Sequence, residues 1–243
     1  LSDLLAAVGP LPLERIVHLA SQVSAALFQA HEQGVIHRDL KPENIMVLPH
    51  VDDDGVPTER VKVCDFGIAK IQSSEEYESG QGSKLTEAGE VFGTPFYMSP
   101  EQARGQKLDA RSDVYSLGVV LYEMATGRLP FLGETPMGIL VQHINDPVPP
   151  PSAVHAGVDP GLERAILRCL AKGPADRYQN VRELRAELRG LVGARASSRP
   201  SLDPTDAERA PTVRAAGAPS GSVARPKEEI GRASCRERVC HRV

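Results

Sequence analysis

One stretch, Asp113 to Thr126 (DVYSLGVVLYEMAT), is apolar almost all the way round a helix. A helix with no broad polar face is stable only at the centre of a domain, so other elements must cover it on every side. The flanking sequence supplies them. From Leu13 to Gln33 the residues Ile16, Leu19, Ala20, Val23, Ala26, Leu27 and Ala30 recur at helical period, and Gly34 stands where a helix end favours a left-handed residue. Asp159-Pro160 opens another helix carrying Leu162, Ile166, Leu167 and Leu170, and an amphipathic helix follows near Val181 to Leu191. Ser99-Pro100-Glu101-Gln102 has the form of a helix start, with Ser99 as N-cap, Pro100 at the first position and Gln102 at the third. The expected fold class is mainly α.

Strand signals are few. Val35-Ile36 and Ile45 to Leu48 read as a short strand pair flanking a loop. Pro49 to Arg60 is a polar insert whose Asp52-Asp53-Asp54-Gly55 reads as a hairpin tip, and Val61-Lys62-Val63 reads as the returning strand. Ile71 to Glu90 is polar and without period, and a loop that long inside a domain is functional or disordered. The prolines of Pro147 to Pro151 suggest an extended connector.

With 243 residues, 41% of them hydrophobic and 25% charged, the chain is long enough to bury a substantial core. There is no Trp, so that core is largely aliphatic. A net charge of −4 gives no basic footprint for nucleic acid or an anionic membrane. The cysteines Cys64, Cys169, Cys235 and Cys240 have neither metal-site nor disulfide spacing and suit a reducing compartment. No apolar run of about 18 residues suggests a membrane span. His18, His31, His143 and His155 have no ligand spacing and read as surface or satisfied core groups. Leu1 already sits in what reads as the interior of a domain, which points to a fragment. The expected division is a globular part over 1–194, a disordered Pro/Ala/Ser/Arg linker over 195–229, and a tail over 230–243. That tail, IGRASCRERVCHRV, reads as translated sequencing-adapter DNA; the alternative is a genuine basic tail.

The string richest in chemistry is HRDLKPEN, His37 to Asn44. It is followed by Asp65-Phe66-Gly67, by GTPFYMSPEQ ending at Gln102, and by DVYSLG from Asp113. In this order the set resembles the signature of eukaryotic-like (Hanks-type) serine/threonine protein kinases, in their bacterial branch, from Leu1 to about Leu191. The resemblance implies transfer of the ATP γ-phosphoryl group to Ser or Thr hydroxyls of proteins, with Mg2+, at a cytoplasmic location. Asp39 would accept or orient the hydroxyl proton, Lys41 would neutralise the moving phosphoryl group, and Thr94 would bond both. Asn44 and Asp65 would hold the metal as hard oxygen donors. Glu43 is grouped with the nucleotide-side residues, and Met46 would form an apolar floor under the adenine. Cys64 reads as a small apolar filler that could also face the nucleotide.

The same resemblance assigns supporting roles. His37 and Phe66 would stack, Gly67 would permit the turn, Asp113 would accept loop N–H bonds, and Glu101 would pair with Arg177. Tyr115 stands where Trp is more familiar and reads as packing. Arg38, directly before Asp39, implies an activation segment ordered by phosphorylation, with Thr86 the preferred site. No glycine-rich phosphate loop, clamping Lys or partner Glu occurs upstream of the motifs. The expected fold is therefore the kinase C-terminal lobe with short β-ribbons and without the N-terminal β lobe, inactive alone. A linker such as 195–229 leads to a membrane anchor in some bacterial kinases of this type. The alternative function is a pseudokinase-type binding scaffold.

Overall fold

The computed structural model describes residues 1–66 and 95–197, with side chains as far as 193. They form a mainly helical unit with one two-stranded ribbon. The helices are α1 (Ser2–Val8), α2 (Leu13–Glu32), α3 (Pro100–Ala103), α4 (Ala110–Thr126), α5 (Pro136–Asn145), α6 (Pro151–Val154), α7 (Pro160–Cys169) and α8 (Val181–Ser197). The strands are β1 (Ile45–Val51) and β2 (Pro57–Val63).

Helix α4 is the centre. From Ser112 to Thr126 every residue except Glu123 is buried. Asp109 caps its start by accepting the Arg111 N–H, and Gly127 ends it in the left-handed region at φ 70°. Helices α2, α7 and α8 contribute Ile16, Leu19, Leu27, Ile166, Leu184 and Leu188 to the same aliphatic core. Packing of α4 on α7 is close enough to demand glycine at 118, because a Cβ there would lie 2.5 Å from Cys169 Cβ. Replacing Gly118 by Ala should therefore destabilise the domain by about 1–3 kcal/mol of overpacking, outweighing the helix-propensity gain of about 1 kcal/mol. Calorimetry should show a melting point lower by a few degrees; an unchanged or higher one would mean the two helices part freely.

The ribbon is antiparallel, in register from Ile45 opposite Val63 to Val51 opposite Pro57. Its tip is Asp52 to Val56, where the Asp52 carboxylate accepts the N–H groups of Asp54 and Val56. The outer edge of β2 faces α2, whose Gln22 stands in for a third strand. The Gln22 Oε1 accepts the Val61 N–H at 2.9 Å, and its Nε2 donates to Glu59 O at 2.9 Å. Arg15 anchors the same strand through a two-pronged pair with the Glu59 carboxylate, at 3.1 and 2.6 Å.

Several details differ from the sequence reading. Val35-Ile36 forms no strand: the Val35 N–H closes the end of α2 on Ala30 O. Both strands extend into the insert expected to be a loop, leaving a shorter tip. Helices α1 and α5 were not anticipated, and the proline connector ends in α6, which begins at Pro151.

Candidate active site

The loop from His37 to Asn44 lies between α2 and the open end of the ribbon, held by side chains from two other helices. Asp113, in the first turn of α4 and wholly buried, accepts the His37 N–H on Oδ2 at 2.8 Å and the Arg38 N–H on Oδ1 at 3.0 Å. His31, near the end of α2, donates from Nε2 to the same Oδ2 at 2.7 Å. The Asp113 carboxylate thus accepts from three donors, which tie α2 and the loop to the start of α4.

The next peptide is fixed from both sides. The Asp39 N–H donates to His37 Nδ1 at 3.3 Å, and the Arg38 carbonyl accepts from Gln102 Nε2 in α3 at 2.7 Å. Because His37 Nδ1 accepts, its Nε2 carries the proton and donates to Cys64 O at 3.0 Å. The Asp39 carbonyl accepts from Asn44 Nδ2 at 2.8 Å. These bonds hold Arg38 at φ 65°, a left-handed conformation that costs a side-chain-bearing residue about 1 kcal/mol or more.

The hairpin brings the distant motif alongside. The Cys64 N–H donates to Asn44 O at 2.8 Å, so Asp65 leaves β2 next to the residue that enters β1. Asp65 is also left-handed, at φ 54°, and is exposed. The following Phe66 packs its ring against His37 with centroids 4.7 Å apart. Asp39, Asn44 and Asp65 therefore gather at one end of the ribbon. On the loop itself, Lys41 Nζ lies 3.1 Å from Asp39 Oδ2, with both side chains partly open to solvent.

Among the described residues no three His, Cys, Asp or Glu side chains cluster as a metal cage. The hard-oxygen groups at this end of the ribbon include the Asp39 and Asp65 carboxylates and the Asn44 Oδ1, left as acceptor once Nδ2 is committed to the Asp39 carbonyl. So small a donor set fits magnesium, which keeps waters and shares its shell with phosphate. Met46 is exposed on the same end of the ribbon, and Glu43 is exposed beside Ser2, whose hydroxyl lies 3.5 Å from it. Gly67, Thr86 and Thr94 lie outside the described residues.

Below the loop, α3 is fastened to the core by a buried ion pair. Arg177 spends all five N–H donors: two on the Glu101 carboxylate at 2.7 and 2.8 Å, and three on the carbonyls of Ala171, Arg111 and Lys172. Glu101 also accepts from Ser112 Oγ at 2.7 Å. Burial alone would raise the Glu101 pKa, but the bonds from Arg177 and Ser112 hold it below the ordinary value. Arg177 lies over the Tyr115 ring at 4.9 Å, and the Tyr115 hydroxyl pairs with His143 Nδ1 at 2.9 Å. Burial, with the Lys172 cation nearby, lowers the His143 pKa to about 4, so this pair is neutral near pH 7.

Sequence reasoning missed two residues of this frame. His31 had no motif to mark it, since its partner is 82 positions away. Gln102 was read only as part of a helix cap.

A catalytic loop braced from a buried central helix, beside an Asp-Phe pair at a ribbon end, defines a protein kinase domain. The chain belongs to that family, in its bacterial Hanks-type branch: the family model "Protein kinase domain" matches residues 1–187. Over 193 residues it is 48% identical to the serine/threonine-protein kinase pkn3 of Myxococcus xanthus, covering 79% of this chain and 34% of that protein. Serine/threonine-protein kinase PknB of Mycobacterium tuberculosis is 39% identical over 229 residues, 94% of this chain and 34% of its own length. The chain thus spans about a third of the curated relatives it matches. Among solved structures it resembles that of Rad53 1-466 in complex with AMP-PNP, with a TM-score of 0.58 and 26% identity over 77% of this chain and 43% of the other. No helix among the described residues is long and apolar enough to cross a membrane.

Proposed function

We propose that this chain is the large lobe of a serine/threonine protein kinase that transfers the ATP γ-phosphoryl group to Ser and Thr hydroxyls of proteins. The observation that carries the reading is the Asp39–Lys41 pair, 3.1 Å apart on a loop whose backbone is held rigidly. Phosphoryl transfer asks a protein for positioning and charge more than for covalent work. Asp39 is the group that accepts or orients the proton of an incoming hydroxyl. Lys41 brings a cation next to the same point, where negative charge is transferred. Magnesium–ATP, when bound, supplies the phosphoryl group and neutralises its leaving oxygens; Asn44 and Asp65 would hold the ion, with Met46 under the base and Glu43 alongside.

Thr94 would bond Asp39 and Lys41, and Thr86 would be a phosphorylation site read by Arg38. A β-rich small lobe bearing a glycine loop, a Lys and a Glu would complete the cleft. The assignment predicts that the complete kinase domain containing this lobe incorporates labelled γ-phosphate into a protein substrate. Acid hydrolysis should recover phosphoserine and phosphothreonine, and EDTA should stop the reaction. A complete domain that transfers nothing with magnesium–ATP present would overturn it.

A further inference from the structure

We propose that Gln102 is a positioning residue for phosphoryl transfer, fixing the Arg38–Asp39 peptide from the first turn of α3; this rests on the kinase reading of Asp39. The Gln102 amide faces two backbone groups of opposite character. Its Nε2 donates to the Arg38 carbonyl at 2.7 Å, and its Oε1 accepts the N–H of Ser99 at 3.0 Å. A carbonyl oxygen only accepts and an amide N–H only donates, so one orientation of the amide serves both. The Ser99 hydroxyl completes the cap by accepting the Gln102 N–H at 3.3 Å.

Capping alone does not require glutamine. A glutamate at the third helical position closes the same box, because only the oxygen is used there. What glutamate cannot do is donate to Arg38 O; it would set a carboxylate oxygen against a carbonyl oxygen. That carbonyl belongs to the peptide between left-handed Arg38 and Asp39. The Asp39 N–H of the same peptide is held on His37 Nδ1 at a longer 3.3 Å. Rotation of this peptide would turn Asp39 away from Lys41. Gln102 thus joins α3 to the backbone that aims the catalytic carboxylate.

The order of two variants separates positioning from capping. In the 243-residue chain, amide exchange followed by NMR reads the Asp39 N–H directly. With Gln102→Glu the Asp39 amide should exchange about tenfold faster or more, the equivalent of one lost hydrogen bond. The α3 amides of Ala103 and Arg104, bonded to Ser99 O and Pro100 O, should stay protected. Gln102→Ala, which keeps the Ser99 hydroxyl cap, should be no worse for Asp39 than Gln102→Glu. In the complete kinase domain both variants should lower kcat about tenfold or more with little change in the KM for ATP. The reverse order, with Gln102→Glu like wild type and Gln102→Ala impaired, would reduce Gln102 to a cap and overturn the proposal. A wild-type domain without transfer activity would instead refute the kinase reading, while the Asp39 exchange rates would still judge the clamp.

Discussion

Replacing Asp39 by Asn in the complete kinase domain should lower kcat for phosphoryl transfer by about 10²–10⁴-fold, with the melting temperature almost unchanged. The magnitude is that of losing a positioned proton acceptor. Stability should hold because the Asp39 side chain is partly exposed and its backbone is pinned by other residues, chiefly His37 and Asn44. Asn keeps the size of Asp but withdraws the negative charge that draws Lys41 to 3.1 Å. The KM for ATP should move little, since the proposed role sets Asp39 at the hydroxyl and not at the nucleotide. A variant with near wild-type kcat would show that the proton goes elsewhere.

Removing either partner of the Glu101–Arg177 pair should cost about 3–5 kcal/mol, the largest stability effect expected of any single polar substitution here. Glu101 is 5% exposed and Arg177 is 1% exposed, so the survivor would be a buried charge with nothing opposite it. Arg177→Ala also strands the carbonyls of Ala171, Arg111 and Lys172 and leaves a cavity beside Tyr115. Urea titration should give a midpoint far below wild type, or no folded baseline. The pair also sets an acid limb. The folded Glu101 pKa lies below its ordinary value, so its stabilisation is complete above about pH 4.5 and is lost as pH falls through the folded value. Destabilisation by only a few tenths of a kcal/mol would mean that water replaces the missing partner.

Local chemistry was the legible part of the fold. Ser99 and Asp159 cap the helices they were read to start, and Gly34, at φ 75°, follows α2 as its spacing implied. The uniformly apolar run of α4 is buried for the reason that made it conspicuous. Helix α5 was hidden because Met137 and Val141 are exposed, which blurs the stripe formed by Ile139, Leu140 and buried His143. Val35-Ile36 has the composition of a strand, but the backbone just after it donates to Asp113 instead of to a neighbouring strand. At the site, the motif residues were legible by resemblance, while the parts that depend on three-dimensional reach were not. His31 meets Asp113 across 82 residues, and Gln102 meets Arg38 across 64. Nothing in either local sequence announces the meeting.

The most direct measurement uses Mn2+ with a non-hydrolysable ATP analogue and the complete kinase domain, followed by NMR. Broadening by the paramagnetic ion falls off steeply with distance, so it reports which residues stand beside the metal. Signals of Asn44 and Asp65 should vanish first, those of Asp39 and Lys41 should weaken, and Asp65→Asn should restore them all. Sharp signals from Asn44 and Asp65 under nucleotide saturation would place the metal elsewhere and contradict the account.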